Sequence, residues 1–167
     1  MSNLQFSPMT AKEFALFWPT FQAIVAAQET YAIDPEIRQE EAFAFWCQTP
    51  LLSMAVKDEH DELLGSYYLK ANAAGPGRHV CNCGYMVTPN ARGKGVARAM
   101  CEHSQREALT LGFKAMQFNA VVASNQVAVA LWQRLGFEIV GTVPNAYRHA
   151  CLGFVDTHVM YKALTAH

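Results

Sequence analysis

Phe14, Phe17, Trp18, Phe21, Ile24 and Val25 recur at spacings of three and four, which predicts a helix over Ala11–Ala27 with one broad apolar face turned to the core. Thr10 stands before it as an N-cap with Glu13 three residues on, and Pro19 marks a place for a kink. Leu4 to Met9 reads as a short strand ahead of this helix. Asp34-Pro35-Glu36 predicts the start of a second helix, with proline at its first position and Ile37, Phe43, Phe45 and Trp46 to bury. Glu29-Thr30-Tyr31-Ala32-Ile33 is the loop between the two helices. From Leu51 the character of the chain becomes that of strands. Leu51–Lys57 and Leu63–Ala71 form an antiparallel hairpin around Asp58–Glu62, and Gly75-Pro76-Gly77 breaks the chain after it. In the strand His79–Val87, Val80, Asn82, Gly84 and Met86 share one face while Cys81, Cys83, Tyr85 and Val87 share the other. A glycine inside it, Gly84, predicts a bulge or a close backbone approach.

Val96–Leu111 returns to helical spacing and ends at Gly112. Lys114–Val121 is the next strand, and a strand reached through a helix lies parallel to its predecessor by a right-handed crossover. Ser124 or Asn125 caps a helix to Leu135, closed by Gly136 with Phe137 packing back. Phe137–Val143 and Val155–Leu164 are two closing strands around the loop Pro144–His149. The order is β-α-α-β-β-β-α-β-α-β-β, an α/β arrangement with a mixed sheet in a single domain over residues 1–167.

Composition narrows the function classes. With 167 residues, 51% of them hydrophobic, the chain buries one core, and a net charge of -1 without a dense basic run excludes a broad nucleic-acid footprint. Its first residues lack the charged start and apolar run of a leader, and no stretch reaches membrane-spanning length, so a cytoplasmic location is expected. Five cysteines fit reduced thiols better than a disulfide framework. His79, Cys81, Cys83, Cys101 and His103 raise the question of zinc, but Cys-x-Cys within a strand points both thiols into packing, and no metal site is expected.

The stretch Val87-Thr88-Pro89-Asn90-Ala91-Arg92-Gly93-Lys94-Gly95-Val96-Ala97 leads from an apolar strand into a helix through a basic, glycine-bearing turn. The first N–H groups of a helix have no intrahelical partners and the dipole adds positive charge, so an anion is favoured there. Gly93 and Gly95 let a ligand approach the backbone, while Arg92 and Lys94 add full charge. Two familiar phosphate loops fail on spacing. A Walker loop needs Ser or Thr after Gly-Lys, where Gly95 stands, and a dinucleotide fingerprint counted from Gly93 meets Arg98 at its third small position.

Arg92-Gly93-Lys94-Gly95-Val96-Ala97 instead resembles the pyrophosphate-binding signature of the GCN5-related N-acetyltransferases. The resemblance continues through Asn125 and Leu131-Trp132-Gln133-Arg134-Leu135-Gly136-Phe137, and with the order of elements it covers essentially the whole chain. It implies that His79–Val87 and Lys114–Val121 splay apart to admit the pantetheine arm of acetyl-CoA. N–H groups of Tyr85, Met86 and Val87 would then be free for the pantetheine amides and for the thioester oxygen as an oxyanion hole. Asn125, Leu131 and Trp132 would complete the cofactor side. The activity implied is acetyl transfer from acetyl-CoA to the amine of a small molecule or amino acid, by direct attack through a tetrahedral intermediate.

The sequence departs from the family at its catalytic positions. Asn82 stands on the strand that often carries a carboxylate base, and Trp132 stands where a tyrosine commonly protonates the thiolate. Asn82 and Asn119 would face the reaction site from neighbouring strands and orient a substrate or a water molecule. With Asn125, this pair is similar to the acetyltransferases that act on proline analogues such as azetidine-2-carboxylate. His149 is a candidate to take a proton through water, and Glu29, Tyr31 and Tyr147 are candidate acceptor-side residues. Two alternatives stay open: a non-catalytic acyl-CoA-binding or sensing module, and acetylation of protein or peptide N-termini. A homodimer is a common assembly where this fold exposes a sheet edge.

Overall fold

The computed structural model describes residues 3–165. Along the chain come β1 (Gln5–Pro8), α1 (Ala11–Ala27), α2 (Gln39–Phe43), β2 (Leu52–Lys57), β3 (Leu63–Ala71), β4 (Val80–Val87), α3 (Val96–Thr110), β5 (Ala115–Val122), α4 (Gln126–Arg134), β6 (Glu138–His149) and β7 (Gly153–Ala163). The strands form one sheet in the order β1-β2-β3-β4-β5-β7-β6, in which only β4 and β5 are parallel. This is the mixed α/β order read from the sequence.

Helix α1 is fixed at its start by reciprocal bonds: Glu13 N–H donates to Thr10 Oγ1 at 3.1 Å and Thr10 N–H to Glu13 Oε1 at 3.0 Å. It runs through Pro19 and buries Phe14, Phe17, Phe21 and Val25. Helix α2 begins later than its proline implies. Asp34 Oδ1 accepts the Glu36 N–H at 2.9 Å and Asp34 carbonyl the Ile37 N–H at 3.0 Å, so these residues form an Asx-type turn. The helix starts only after Arg38, whose side chain and N–H both bond Glu41. A π-helical turn, Ala44–Gln48, continues it and delivers Trp46 to the core, where the indole N–H donates to Ser66 Oγ at 2.8 Å. That hydroxyl donates in turn to the Met54 carbonyl at 2.8 Å, which leaves the buried polar chain satisfied.

The sheet has a core on each face. Phe14, Phe17, Phe21, Val25, Ala42 and Trp46 of α1, α2 and the π turn pack with Tyr68 and Met86, whereas Tyr67, Leu69, Cys81, Cys83, Met116 and Phe118 face α3 and α4. Strand β4 therefore alternates as its sequence predicted. Gly84 is there for close approach: β3 and β4 stay in unbroken register from Gly65↔Val87 to Ala71↔Cys81, and a Cβ on Gly84 would lie 2.4 Å from Tyr68 Cε2.

The expected loop Pro144–His149 proves to be mostly strand. Tyr147, Arg148 and His149 pair with Val155, Phe154 and Gly153, and the turn falls at 150–152 instead. Register shifts between Val143 and Tyr147, where Pro144 has no N–H for the ladder and the N–H of Asn145, at φ 50, reaches Asp156 Oδ1 at 3.0 Å.

Candidate active site

Strands β4 and β5 pair at Val80↔Ala115 and Cys81↔Met116 and then separate, so a split opens toward their C-terminal ends. Asn82 stands where pairing stops. Its Nδ2 donates to the Gln117 carbonyl at 2.9 Å and its Oδ1 accepts from the Tyr68 hydroxyl at 3.1 Å, so the side chain supplies β5 with the donor that the departing backbone withdraws. Asn119 shares this face of the sheet and is exposed; its Nδ2 donates to Asn72 Oδ1 at 2.7 Å and its Oδ1 accepts from Gln117 Nε2 at 3.0 Å. Both asparagines are thus members of a row of side-chain amides, each bonded to neighbours. The sequence reading missed Tyr68, Asn72 and Gln117, although Gln117 is marked as a polar side chain within an apolar strand.

Antiparallel alternation decides which backbone groups of β4 face the split. Asn72 N–H bonds the Val80 carbonyl and Thr88 N–H the Leu64 carbonyl, which turns the N–H groups of Asn82, Gly84 and Met86 toward β3. Those of Cys83, Tyr85 and Val87 point into the split. Met86 is therefore a correction to the expected trio of free N–H groups. So is Tyr85: its N–H donates to the Tyr31 hydroxyl at 2.8 Å, and that hydroxyl donates in turn to the Tyr85 carbonyl. Burial pushes the Tyr31 phenol far above the ordinary tyrosine value, so it stays protonated and acts as a hydroxyl rather than a phenolate.

Tyr147 joins the same wall, its hydroxyl donating to the Tyr31 carbonyl at 3.0 Å, while Ala150 N–H reaches the Gln28 carbonyl at 3.0 Å. Burial raises the Tyr147 phenol, and the charge of exposed Glu29 adds to that shift, against hydrogen bonds to the backbone of Tyr31 and Thr30. Tyr31, Tyr147 and Glu29 are accordingly brought to one side. His149 has another task. Its Nδ1 accepts the N–H groups of Cys151 and Leu152 at 3.1 and 3.2 Å, so the lone pair that a base would use there closes the β6–β7 turn.

At the open end of the split, β4 passes through a 3₁₀ turn, Pro89–Ala91, into Arg92-Gly93-Lys94-Gly95. Gly93 and Gly95 take φ 73 and 80, and Gly95 is the N-cap of α3 without a side-chain cap bond. A Cβ added at either would meet nothing within 4 Å. Arg92 and Lys94 are exposed, Val96 is buried as the anchor of the helix, and Ala97 is half-buried beside it. Helix α4 also starts at this end: Asn125 Oδ1 accepts the Ala128 N–H at 3.3 Å, and the neighbouring Ser124 Oγ is buried without a partner among the described residues. Leu131 packs against the α3/α4 core. Buried Trp132 closes the far face of the split, its ring centroid 5.2 Å from both Tyr85 on β4 and Phe118 on β5.

The cysteine and histidine group is taken up by core packing. Cys81, Cys83 and Cys101 are buried, and burial pushes the Cys101 thiol up to about 11 and Cys83 well above its usual value. His103 instead bonds the Tyr67 hydroxyl at 2.7 Å and stacks on Phe6, while His79 is exposed.

From Phe14 in α1 to Phe137 beyond α4, residues 14–137 match the Acetyltransferase (GNAT) family. The chain belongs to that family. Among its relatives is the N-acetyltransferase aca1 of Schizosaccharomyces pombe, 33% identical over 147 residues that span 78% of this chain and 70% of that one. A GCN5-related N-acetyltransferase from Kribbella flavida is 43% identical and superposes with a TM-score of 0.91, covering 96% of this chain and 98% of its own. The GNAT fold persists at lower identity: yncA from Salmonella typhimurium, a putative acetyltransferase solved with its cofactor acetyl-CoA, has a TM-score of 0.84 at 19% identity, covering 99% and 96% of the two chains. In GNAT terms this protein is an N-acetyltransferase whose β4 carries an asparagine, engaged with its neighbours, on the face turned to α1 and α2. No helix of the described residues is long and apolar enough to cross a membrane.

Proposed function

We propose that this N-acetyltransferase moves the acetyl group of acetyl-CoA to the amine of a small amino acid. The observation that carries the reading is the pair of left-handed glycines, Gly93 and Gly95, lying open before α3 at the mouth of the β4/β5 split. That cradle fits a pyrophosphate: the unpaired N–H groups of the first turn face open space, and exposed Arg92 and Lys94 flank it. Asn125, Leu131 and Trp132 border the split from α4, and the unpartnered Ser124 hydroxyl adds a donor at its rim. Acetyl-CoA, when bound, would supply the activated acetyl thioester; attack by the neutral amine forms the amide N–C bond as the C–S bond breaks, and CoA leaves as the thiol with the proton the amine gives up. The N–H groups of Cys83 and Val87 form the edge that would hold the pantetheine arm and thioester oxygen, while Tyr31 occupies the N–H of Tyr85 between them. Asn82 and Asn119 shape the acceptor face by aligning the amide row, and Tyr31, Tyr147 and Glu29 form its opposite wall. The similarity of the three asparagines to acetyltransferases of proline analogues places cyclic imino acids first among the acceptors to test.

A second reading is favoured by one observation: neither Asn82 nor Trp132 is an acid or a base, as a non-catalytic acyl-CoA sensor would allow. The decisive experiment follows free-thiol release from acetyl-CoA across amino acids, proline analogues, polyamines, aminoglycosides and short peptides. Acceptor-dependent release with small amino acids supports the proposal; CoA binding without release by any acceptor assigns the chain to the sensor, and release only with peptides assigns it to N-terminal acetylation.

A further inference from the structure

Lys70 is a charged side chain of the amide face that the reading above leaves unused. It lies directly across the β3/β4 ladder from Asn82 and, alternating with Tyr67 and Leu69, projects on the face turned to α1 and α2. Its ammonium sits 5.4 Å from the Tyr68 ring centroid and 5.7 Å from that of Phe45. Both rings are held in place: Tyr68 by its hydroxyl on Asn82 and by the edge of Trp46 at 4.8 Å, Phe45 by its edge contact with Tyr68. Ring faces stabilise the positive charge but accept none of the three ammonium protons in a strong hydrogen bond. Among the described residues no ion pair involves Lys70. Across the ladder stands the neutral amide of Asn82, from which the amide row runs on through Gln117, Asn119 and Asn72, and the recess that Lys70 lines with Arg78 and His79 has no carboxylate among its described residues, whereas Glu29 lies at the other wall beside Tyr147.

We propose that Lys70 binds the carboxylate of the acceptor and thereby selects amino and imino acids over polyamines and aminoglycosides. A half-buried ammonium with open donors gains a charge-assisted hydrogen bond from a carboxylate, and the same charge repels a polycation. The acceptor then lies with its carboxylate toward Lys70 and its amine toward Tyr31. The inference rests on the acceptor occupying the α1/α2 face of the split.

The test compares the amino acid that best supports thiol release with its own methyl ester, in the wild type and in Lys70→Met, Lys70→Arg and Arg106→Gln. Lys70→Met keeps the apolar stem against the rings and is expected to raise the KM of the free acid about tenfold or more, from the loss of a hydrogen bond to a charged group. The KM values for the ester and for acetyl-CoA should stay within about twofold, Lys70→Arg should recover much of the acid's KM, and Arg106→Gln, exposed on α3 away from this recess, should behave as wild type. Equal losses for acid and ester, or no loss for either, would overturn the role of Lys70. Release with polyamines but with no amino acid overturns it while leaving the acetyltransferase reading intact, and release with no amine at all removes both.

Discussion

Gly84→Ala probes the join between the sheet and the acceptor face. The new Cβ would stand 2.4 Å from Tyr68 Cε2, 2.9 Å from Cζ and 3.1 Å from the hydroxyl oxygen. The ring has little room to retreat, because the edge contact with Trp46 backs it at 4.8 Å and Trp46 is itself fully buried and pinned to Ser66. Gly84 lies mid-strand in continuous register, so the backbone resists as well. Overpacking of this kind costs about 1–3 kcal/mol. Displacing Tyr68 also breaks its bond to Asn82, roughly another 1 kcal/mol, while the stiffer unfolded chain of alanine returns about 0.4–1 kcal/mol. The net expectation is a loss of roughly 1–3 kcal/mol, which for a domain of this length lowers Tm by roughly 2–12 °C. Thermal and urea unfolding measure it, with Tyr68→Leu as the partner in a double-mutant cycle. The two changes should be strongly non-additive, since removing the ring removes the clash. A Tm equal to wild type for Gly84→Ala, or strict additivity with Tyr68→Leu, would refute the close-approach account.

Other variants test the remaining parts. Gly95→Val places a branched side chain at φ 80 in the open space before α3; the left-handed backbone costs about 1–2 kcal/mol, so the protein should stay folded while acetyl-CoA binding by calorimetry is lost, and retained micromolar binding would remove that cradle from the reading. Tyr31→Phe deletes both bonds to the Tyr85 backbone and should lower urea stability by about 1–3 kcal/mol; an unchanged midpoint would mean that the split strand does not depend on that hydroxyl. Burial holds His103 below its ordinary value of 6.5, so the unfolded chain takes up the proton first. Its contribution is therefore full above about 6.5 and declines as pH falls through that value, and His103→Asn should flatten this part of the stability–pH curve, whereas an identical slope would assign it to other groups.

Local signals carried most of the fold. The Thr10/Glu13 cap, the alternation of β4 and the glycines at 95, 112 and 136 act within a few residues, so the sequence alone locates them. Helix α2 starts later than the sequence implies because Pro35 fits a turn as well as a first helical turn, and the Asp34 side chain selects the turn. Strand β6 runs longer than the sequence implies: Pro144 and Asn145 have loop character, but pairing with β7 carries the strand past them. The site was legible where one stretch of chain makes it, as at Arg92–Ala97, and obscure where partners come from afar. Nothing near Tyr31 in the sequence announces a bond to the Tyr85 backbone, nor does anything near His149 reserve its Nδ1 for the turn that follows.

The ties among Tyr31, Tyr147, Gln28 and Ala150 also set an order of assembly. The glycine cradle is complete within one continuous run from β4 into α3, whereas the opposite wall joins residues 116 apart in the chain. Closing a loop of that length is the late, entropy-limited part of folding. The wall around Tyr31 is therefore expected to form last and to open first, so that loosening the β6–β7 turn dissolves it before the cradle. Hydrogen exchange should accordingly release the Ala150 amide well before the amides in the middle of α3.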